Sequence, residues 1–576
     1  MTTPAPADPD PRLNDESEQQ PPSAIASPLR LPFTLLGLSL LMMTVILNVT
    51  AITSALPTIA LDLHINSIQA FWVGTSSLIC STAFQPVYGS LSSIFGRKPA
   101  LMLAITFLTT GTIICSRASN VTTLLTGRTI QGLGAGGITN LSEVILTDLV
   151  PLRLRGRYLA ILNSTWAIGS TSGPVIGAAF AQKVAWRWIF YMHLPLLAVG
   201  SGLILIFTNF PPPAHCRLGR RGDIDYGGIL LFTGGITCVL IPVTWGGVMY
   251  PWASWKTLTP LLVGAATLLS FVAYEAYVAV KPMIPLTIFR TRTLLISYIG
   301  TATHGLLLSC GLYYLPFYFQ GVKGYTPIIS GVAMFPVTFT IIPGAMVTGI
   351  LISRTGKYRP VIWVGWVTAT VGLGCTCVIH VDTQNVVWIV CLIVVGIGIG
   401  MLFSALNLAV LAAAGPHGEQ AAAATMFTFF RALGQTLGVA LGGTIFANRV
   451  RVNLMQMQPA LQSSADQAID PLSLFQLVGQ GPDPITLEQA RTIYVDSLRI
   501  VWAFCCGVCG VAGLLSLAMR SYPLAKRYPT QQQQQPPSGA DDFGESRQDL
   551  IAMTRLESVK DQPSVVSFHG LEQSVA

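Results

Sequence analysis

Four ionisable side chains stand where a charge is costly. Arg128, Glu143, His304 and Arg431 all lie inside long apolar runs of this 576-residue chain. Ionisable residues in a bilayer core are read as functional by default. Arg128, with Gln131 on the next turn, can attract an anionic group or bias the protonation of a neighbour. His304 can titrate near neutral pH, or sit neutral and hydrogen-bonded in a core. Glu143 lies near the end of its run. Asn48, Gln85 and Asn407 are further polar residues in the same kind of setting. Glu275 reads as a structural or interfacial acid. No nucleophile–base set and no cluster of metal ligands is visible, so neither an enzyme nor a metal site is expected. Cys505, Cys506 and Cys509 resemble a redox pair, but they fall within an apolar run and read as packing residues.

The elements that must position these groups are spanning helices. Charged residues are 10% of the chain, against about 25% in soluble domains, which points to a polytopic membrane protein. The net charge of +8 does not require nucleic acid, because the basic residues sit in short loops between apolar segments. A span needs about 20 apolar residues. Fourteen segments qualify: 33–56, 71–91, 100–118, 121–148, 158–182, 188–210, 227–248, 258–280, 294–319, 327–351, 361–379, 386–412, 421–446 and 498–520. Loops after the even-numbered segments up to the tenth hold fourteen Lys and Arg, against five on the other side. The richer side is predicted to be cytoplasmic, with both termini on it. No signal peptide is expected. The tails 1–32 and 521–576 read as disordered, and 447–497 reads as an extracellular loop.

The chain also repeats itself. Gly89 to Lys98 reads GSLSSIFGRK and Gly349 to Tyr358 reads GILISRTGKY, 260 residues apart, with glycines seven apart in both. Gly169, Gly173 and Gly177 recur as Gly434, Gly438 and Gly442 at an offset of 265. Two related six-helix units follow, 33–210 and 294–520, with linkers and an inserted helix pair at 211–293. A substrate cavity is expected between such halves.

With five stretches in order, the chain resembles the major facilitator superfamily, in its fourteen-span fungal drug:proton antiporter branch. The stretches are GSLSSIFGRK; LLTGRTIQGLGAGG from Leu124, which carries Arg128; GSTSGPVIGA from Gly169; WRWIFYMHLP from Trp186; and WVGTSSLICSTAFQP from Trp72. The resemblance implies an all-α fold of two six-helix bundles plus an inserted pair. Gly89, Gly96, Arg97, Lys98 and Asp148 would form a latch on the cytoplasmic face. Gly169, Gly173 and Gly177 with Pro174 would let a bent helix rock against its partner. Where relatives often carry acids, this chain has Asn48 and Ser93, so position 48 cannot carry a proton. Glu143, Asp148 or His304 would have to do so, or coupling would be weak.

The implied function is export of small amphipathic organic compounds through alternating access, driven by an inward proton gradient without a cofactor. Asn48, Gln85, Arg128, Gln131, His304, Asn407 and Arg431 are the polar candidates for the cavity, which segments 1, 2, 4, 5, 9, 10, 12 and 13 would line. Tyr313, Tyr314, Phe317 and Phe427 to Phe430 are the aromatic ones. The expected partners are a small-molecule substrate and the lipid bilayer, with the chain acting as a monomer. The plasma membrane is the expected location, and the vacuolar membrane the alternative. Import of basic amino acids into a vacuole, and sensing without transport, are the competing functions. Asn120 opens a glycosylation sequon on the predicted outer side, close to the membrane.

Overall fold

The computed structural model describes residues 30–65, 67–150, 152–208, 224–247, 249–414, 417–457 and 484–522. The N-tail to residue 29, the C-tail from 523, and the linker basic residues Arg217, Arg220 and Arg221 lie outside them. Sixteen α-helices occur among the described residues. The first seven are α1 (Arg30–Asp62), α2 (Ser67–Phe95), α3 (Arg97–Ser116), α4 (Val121–Leu149), α5 (Leu152–Lys183), α6 (Trp188–Tyr191) and α7 (His193–Phe207). The inserted pair is α8 (Tyr226–Trp245) and α9 (Trp255–Tyr277). The remainder are α10 (Arg292–Phe317), α11 (Pro327–Ala333), α12 (Phe335–Thr355), α13 (Arg359–Thr376), α14 (Asn385–Ala413), α15 (His417–Met457) and α16 (Pro484–Ser516). Taking α6 with α7 and α11 with α12 gives fourteen spans.

Nine of these spans are long and apolar enough to cross a bilayer by composition alone. Among the others, α2, α4, α5 and α15 are rich in glycine and polar residues, because they face the interior of the protein. Two helices run further than their apolar content indicates. α15 continues to Met457 and α16 begins at Pro484, so the connection expected at 447–497 shrinks to 458–483, which lies outside the described residues. With 41 residues, α15 is about 60 Å long, roughly twice the hydrocarbon thickness. Its far end carries Arg449, Arg451 and Asn453.

The packing repeats as the sequence does. In the first half α1 packs on α5 and α7, and α4 on α2 and α3; in the second α10 packs on α15 and α16, and α14 on α12 and α13. The halves meet along α5 against α12 and α2 against α15, with α4 against α15 and α5 against α14 beside them. The first two are each other's counterparts under the repeat. The repeated glycines do equivalent work. A Cβ on Gly173 would collide with Thr50 Oγ1 of α1, and one on its counterpart Gly438 with Ser309 Oγ of α10. Gly96 and Gly356 open the turns before α3 and α13 with φ of 94° and 68°, a region L side chains rarely adopt. The end of the molecule carrying these turns also carries Arg155, Arg354 and Arg359, and is called the basic end below.

The inserted pair lies on the seam between the halves. α8 contacts both α2 and α15; Phe232 meets Phe429 at 5.4 Å, and Thr444 Oγ1 donates to the Gly246 carbonyl at 2.9 Å. At the opposite end, Trp186 Nε1 and Arg187 Nη1 donate to Asp62 at 2.9 and 3.2 Å, while Arg187 Nη2 reaches the Ala118 carbonyl. The WRW stretch thereby pins the ends of α1 and α3 together.

Candidate functional site

Arg128 is fully buried in α4, and neutral oxygens occupy its fork. Nε donates to the Val73 carbonyl at 3.0 Å, Nη1 to Asn48 Oδ1 at 2.7 Å and Gln131 Oε1 at 3.0 Å, and Nη2 to Ser77 Oγ at 2.7 Å. Gln131 donates onward to Thr112 Oγ1 at 2.9 Å. One guanidinium so holds α1, α2, α3 and α4 in register. No carboxylate pairs with it among the described residues.

The second cluster joins the halves. Glu143 Oε2, on α4, accepts from Asn407 Nδ2, on α14, at 2.7 Å. Arg431 Nη1, on α15, stands 4.0 Å from Glu143 Oε1, beyond hydrogen-bond range. Its guanidinium lies over Phe403 at 4.7 Å and Phe427 at 5.8 Å. His304 Nε2 is 3.2 Å from the Ile399 carbonyl, and its ring packs on Phe403. Glu143 and Asn407 are 264 residues apart, within one residue of the repeat offset. Nearer the basic end, Arg155 Nη1 donates to Gln420 Oε1 at 3.0 Å, 265 residues away. Arg155 and Gln420 therefore stand at equivalent positions of the two halves, and Glu143 and Asn407 stand one residue away from equivalence. Arg155 also closes the end of α4, donating to the Val150 and Thr147 carbonyls.

Between the halves lies a cavity of ≈80 Å³, walled by α1, α2, α4, α5, α10 and α15. Asn48, Gln85, Pro174 and Arg431 line it; Arg128, Gln131, Glu143, His304 and Asn407 are packed behind its wall. Helices α12 and α14 do not reach it. Of the aromatic candidates, Tyr313 lines it, joined by Trp166. Tyr314 instead donates to the Val439 carbonyl at 2.6 Å, Phe317 stacks on Phe446, and Phe430 stacks on Tyr298. Three buried polar atoms on the wall have no hydrogen-bond partner: Asn48 Nδ2, Gln85 Oε1 and the Tyr313 hydroxyl.

At the basic end Arg97 Nε meets Asp148 at 2.8 Å and Nη1 donates to Ser92 Oγ at 2.6 Å. Lys98 Nζ caps α7 through the Leu205 and Thr208 carbonyls at 2.8 and 2.9 Å. Ser93 donates within its own helix. Gly89 faces Thr425 of α15, and Gly349 faces Gly156 of α5, so both seams are tight there. Asn120 caps α4, its Oδ1 accepting from the Thr123 amide at 2.8 Å. The parts of this site that single residue types did not reveal are Ser77, Arg155 and Gln420. For the last two a signal existed, since they stand one repeat apart.

Two bundles related by an internal repeat, meeting along two equivalent seams around a cavity, define a membrane transporter architecture. Residues 38–439 match the model of the Major Facilitator Superfamily, and the chain belongs to that family. It is 43% identical over 490 residues to the "MFS transporter L2" of a Phoma species, covering 85% of this chain and 82% of that protein. It is 35% identical to the "Acurin A biosynthesis cluster MFS-type transporter" of Aspergillus aculeatus, covering 90% and 93%. It is 32% identical to "Efflux pump FUS6" of Gibberella moniliformis, covering 90% and 92%. Among solved structures, the human organic anion transporter MFSD10 shares the fold, with a TM-score of 0.54 at 14% identity over 86% of this chain and all of that one.

Proposed function

We propose that this transporter exports small amphipathic organic compounds, drugs, toxins or a secondary metabolite, from a fungal cell by proton antiport. It works in the plasma membrane as a single chain, with its basic end and both termini in the cytosol, and moves its cargo without chemically changing it. The names of its relatives support export. The observation that carries the mechanism is the Glu143–Asn407 bond, a buried carboxylate tied across the two halves at 2.7 Å.

Ionised Glu143 holds Asn407 while Arg155 holds Gln420, and the basic end stays drawn together. A proton taken up from outside weakens the first tie to a neutral hydrogen bond, and the basic end opens to the cytosol. Cargo enters the cavity there. Loss of the proton to the cytosol re-forms the tie, closes that end and turns the cavity outward. Asn48 has no part in the proton's path. Among the described residues no carboxylate lines the cavity, which argues against uptake of basic amino acids.

The test is dye transport into inside-out vesicles with an acidic lumen. Accumulation above equilibrium, abolished by a protonophore, is the expected result. Equilibration without accumulation would reduce the protein to a facilitator, and no flux at all would leave sensing. Locating a tagged copy at the plasma membrane or the vacuole decides the membrane.

A further inference from the structure

Two buried arginines flank the cavity, and they differ in one respect. Arg128 has its N–H groups satisfied by neutral oxygens. Arg431 lies on the cavity wall with a carboxylate at 4.0 Å and two aromatic faces. Among the described residues no acceptor stands within hydrogen-bond distance of its guanidinium. Its charge is balanced by Glu143 at 4.0 Å without a hydrogen bond, and a charged donor facing a cavity in that state can gain one from a ligand oxygen. The same wall offers the unpaired Asn48 Nδ2 as a second donor, and Gln85 Oε1 and the Tyr313 hydroxyl as acceptors. The rest of the wall combines apolar side chains, Trp166 and Leu312 among them, with Ser and Thr hydroxyls and Gln435.

We infer that the cargo is an uncharged, oxygen-bearing apolar molecule whose carbonyl oxygen accepts from Arg431 and Asn48, and whose hydroxyl donates to Gln85. This deepens the export reading and rests on it. Cations are disfavoured because Arg431 faces the cavity and, among the described residues, no carboxylate does. A full anion fails for a different reason. It would compete with Glu143 for Arg431 and leave that carboxylate alone in the core, where it takes up a proton. Linkage is reciprocal, so anion and proton would then bind together, whereas antiport requires them to bind in turn. A neutral acceptor satisfies Arg431 and leaves Glu143 its partner.

The experiment uses the full chain in lipid nanodiscs and a pyrene scaffold carrying no head group, a carboxamide, a carboxylate or an alkylammonium. The carboxamide is expected to bind about tenfold more tightly than bare pyrene, the worth of one hydrogen bond to a charged donor. The ammonium should bind most weakly. The carboxylate should take up a proton on binding, and the carboxamide should not. Arg431→Gln should erase the advantage of the carboxamide while bare pyrene still binds. Where that variant does not fold, Gln85→Leu carries the test with 4-hydroxypyrene-type probes, whose advantage over bare pyrene it should remove. Tightest binding by the ammonium, equal binding of all four probes, or an unchanged preference in the variants would overturn the assignment. This order is read from binding alone. Absent flux with the order intact sinks the export reading instead.

Discussion

The replacement of Glu143 by Gln tests the coupling most directly. Glutamine keeps the shape, and its oxygen can still accept from Asn407 Nδ2, which stands 2.7 Å from Oε2. What is lost is the charge. A hydrogen bond to an ionised group contributes about 1.5–3 kcal/mol and a neutral one about 0.5–1.5. The tie therefore weakens by about 1 kcal/mol, which shifts the gate about fivefold toward an open basic end. Arg431 also loses its partner at 4.0 Å, and leaving one member of a buried pair alone costs about 3 kcal/mol of stability. The variant should thus be measurably less stable. In proteoliposomes it should retain cargo exchange at equal concentrations and lose accumulation driven by a pH gradient, because nothing titrates at the gate. Gradient-driven accumulation at the wild-type rate would refute the coupling role. Asn407→Ala separates the two effects: the carboxylate still titrates, so accumulation should fall without vanishing.

Ala at Gly177 or Gly434 should each lower stability by about 2 kcal/mol, because the added methyl meets a carbonyl of α1 or α10; Gly507→Ala, with nothing within 4 Å, should not, and equal melting of all three would contradict the packing. Arg97→Ala breaks a part-exposed pair and should change stability by less than about 1 kcal/mol while slowing transport severalfold; wild-type flux would remove the latch role. At the far end, beyond the span of α1, the Trp186 N–H holds the Asp62 carboxyl below its ordinary range against partial burial, with Arg187 adding to it. A depressed carboxylate stabilises the fold above its unfolded pKa and loses that contribution as pH falls through the folded value. Melting temperature should therefore be flat from neutral pH down to about 4 and fall below it, and Asp62→Asn should remove that fall. An unchanged acid profile in the variant would assign the fall elsewhere.

Much of this architecture was legible because glycine leaves marks that composition does not blur. Gly96 and Gly356, 260 apart, fix two equivalent turns, and the triads from Gly169 and Gly434 fix two equivalent helix contacts. Buried charge was legible for a similar reason: Arg128, Glu143 and Arg431 are conspicuous among apolar neighbours. What each touches was not. Nothing in a sequence says that Arg128 would find five neutral oxygens on α1, α2 and α4, or that Arg431 would find almost none. The cavity wall was harder still. Tyr313 and Tyr314 are adjacent and chemically identical, yet a rotation of about 100° per residue puts one on the cavity and the other against α15. Helix ends were obscured because apolar content marks the lipid's thickness and not the helix's length, as α15 demonstrates.

The Arg155–Gln420 bond bears on how such a machine comes to have direction. The two residues stand one repeat offset apart, so between two identical halves the same contact would be a residue meeting its own copy. An amide can greet another amide, donor to acceptor, but two guanidiniums repel. With arginine on one half and glutamine on the other, the contact carries charge on one side only, and the two halves of the basic end are no longer interchangeable.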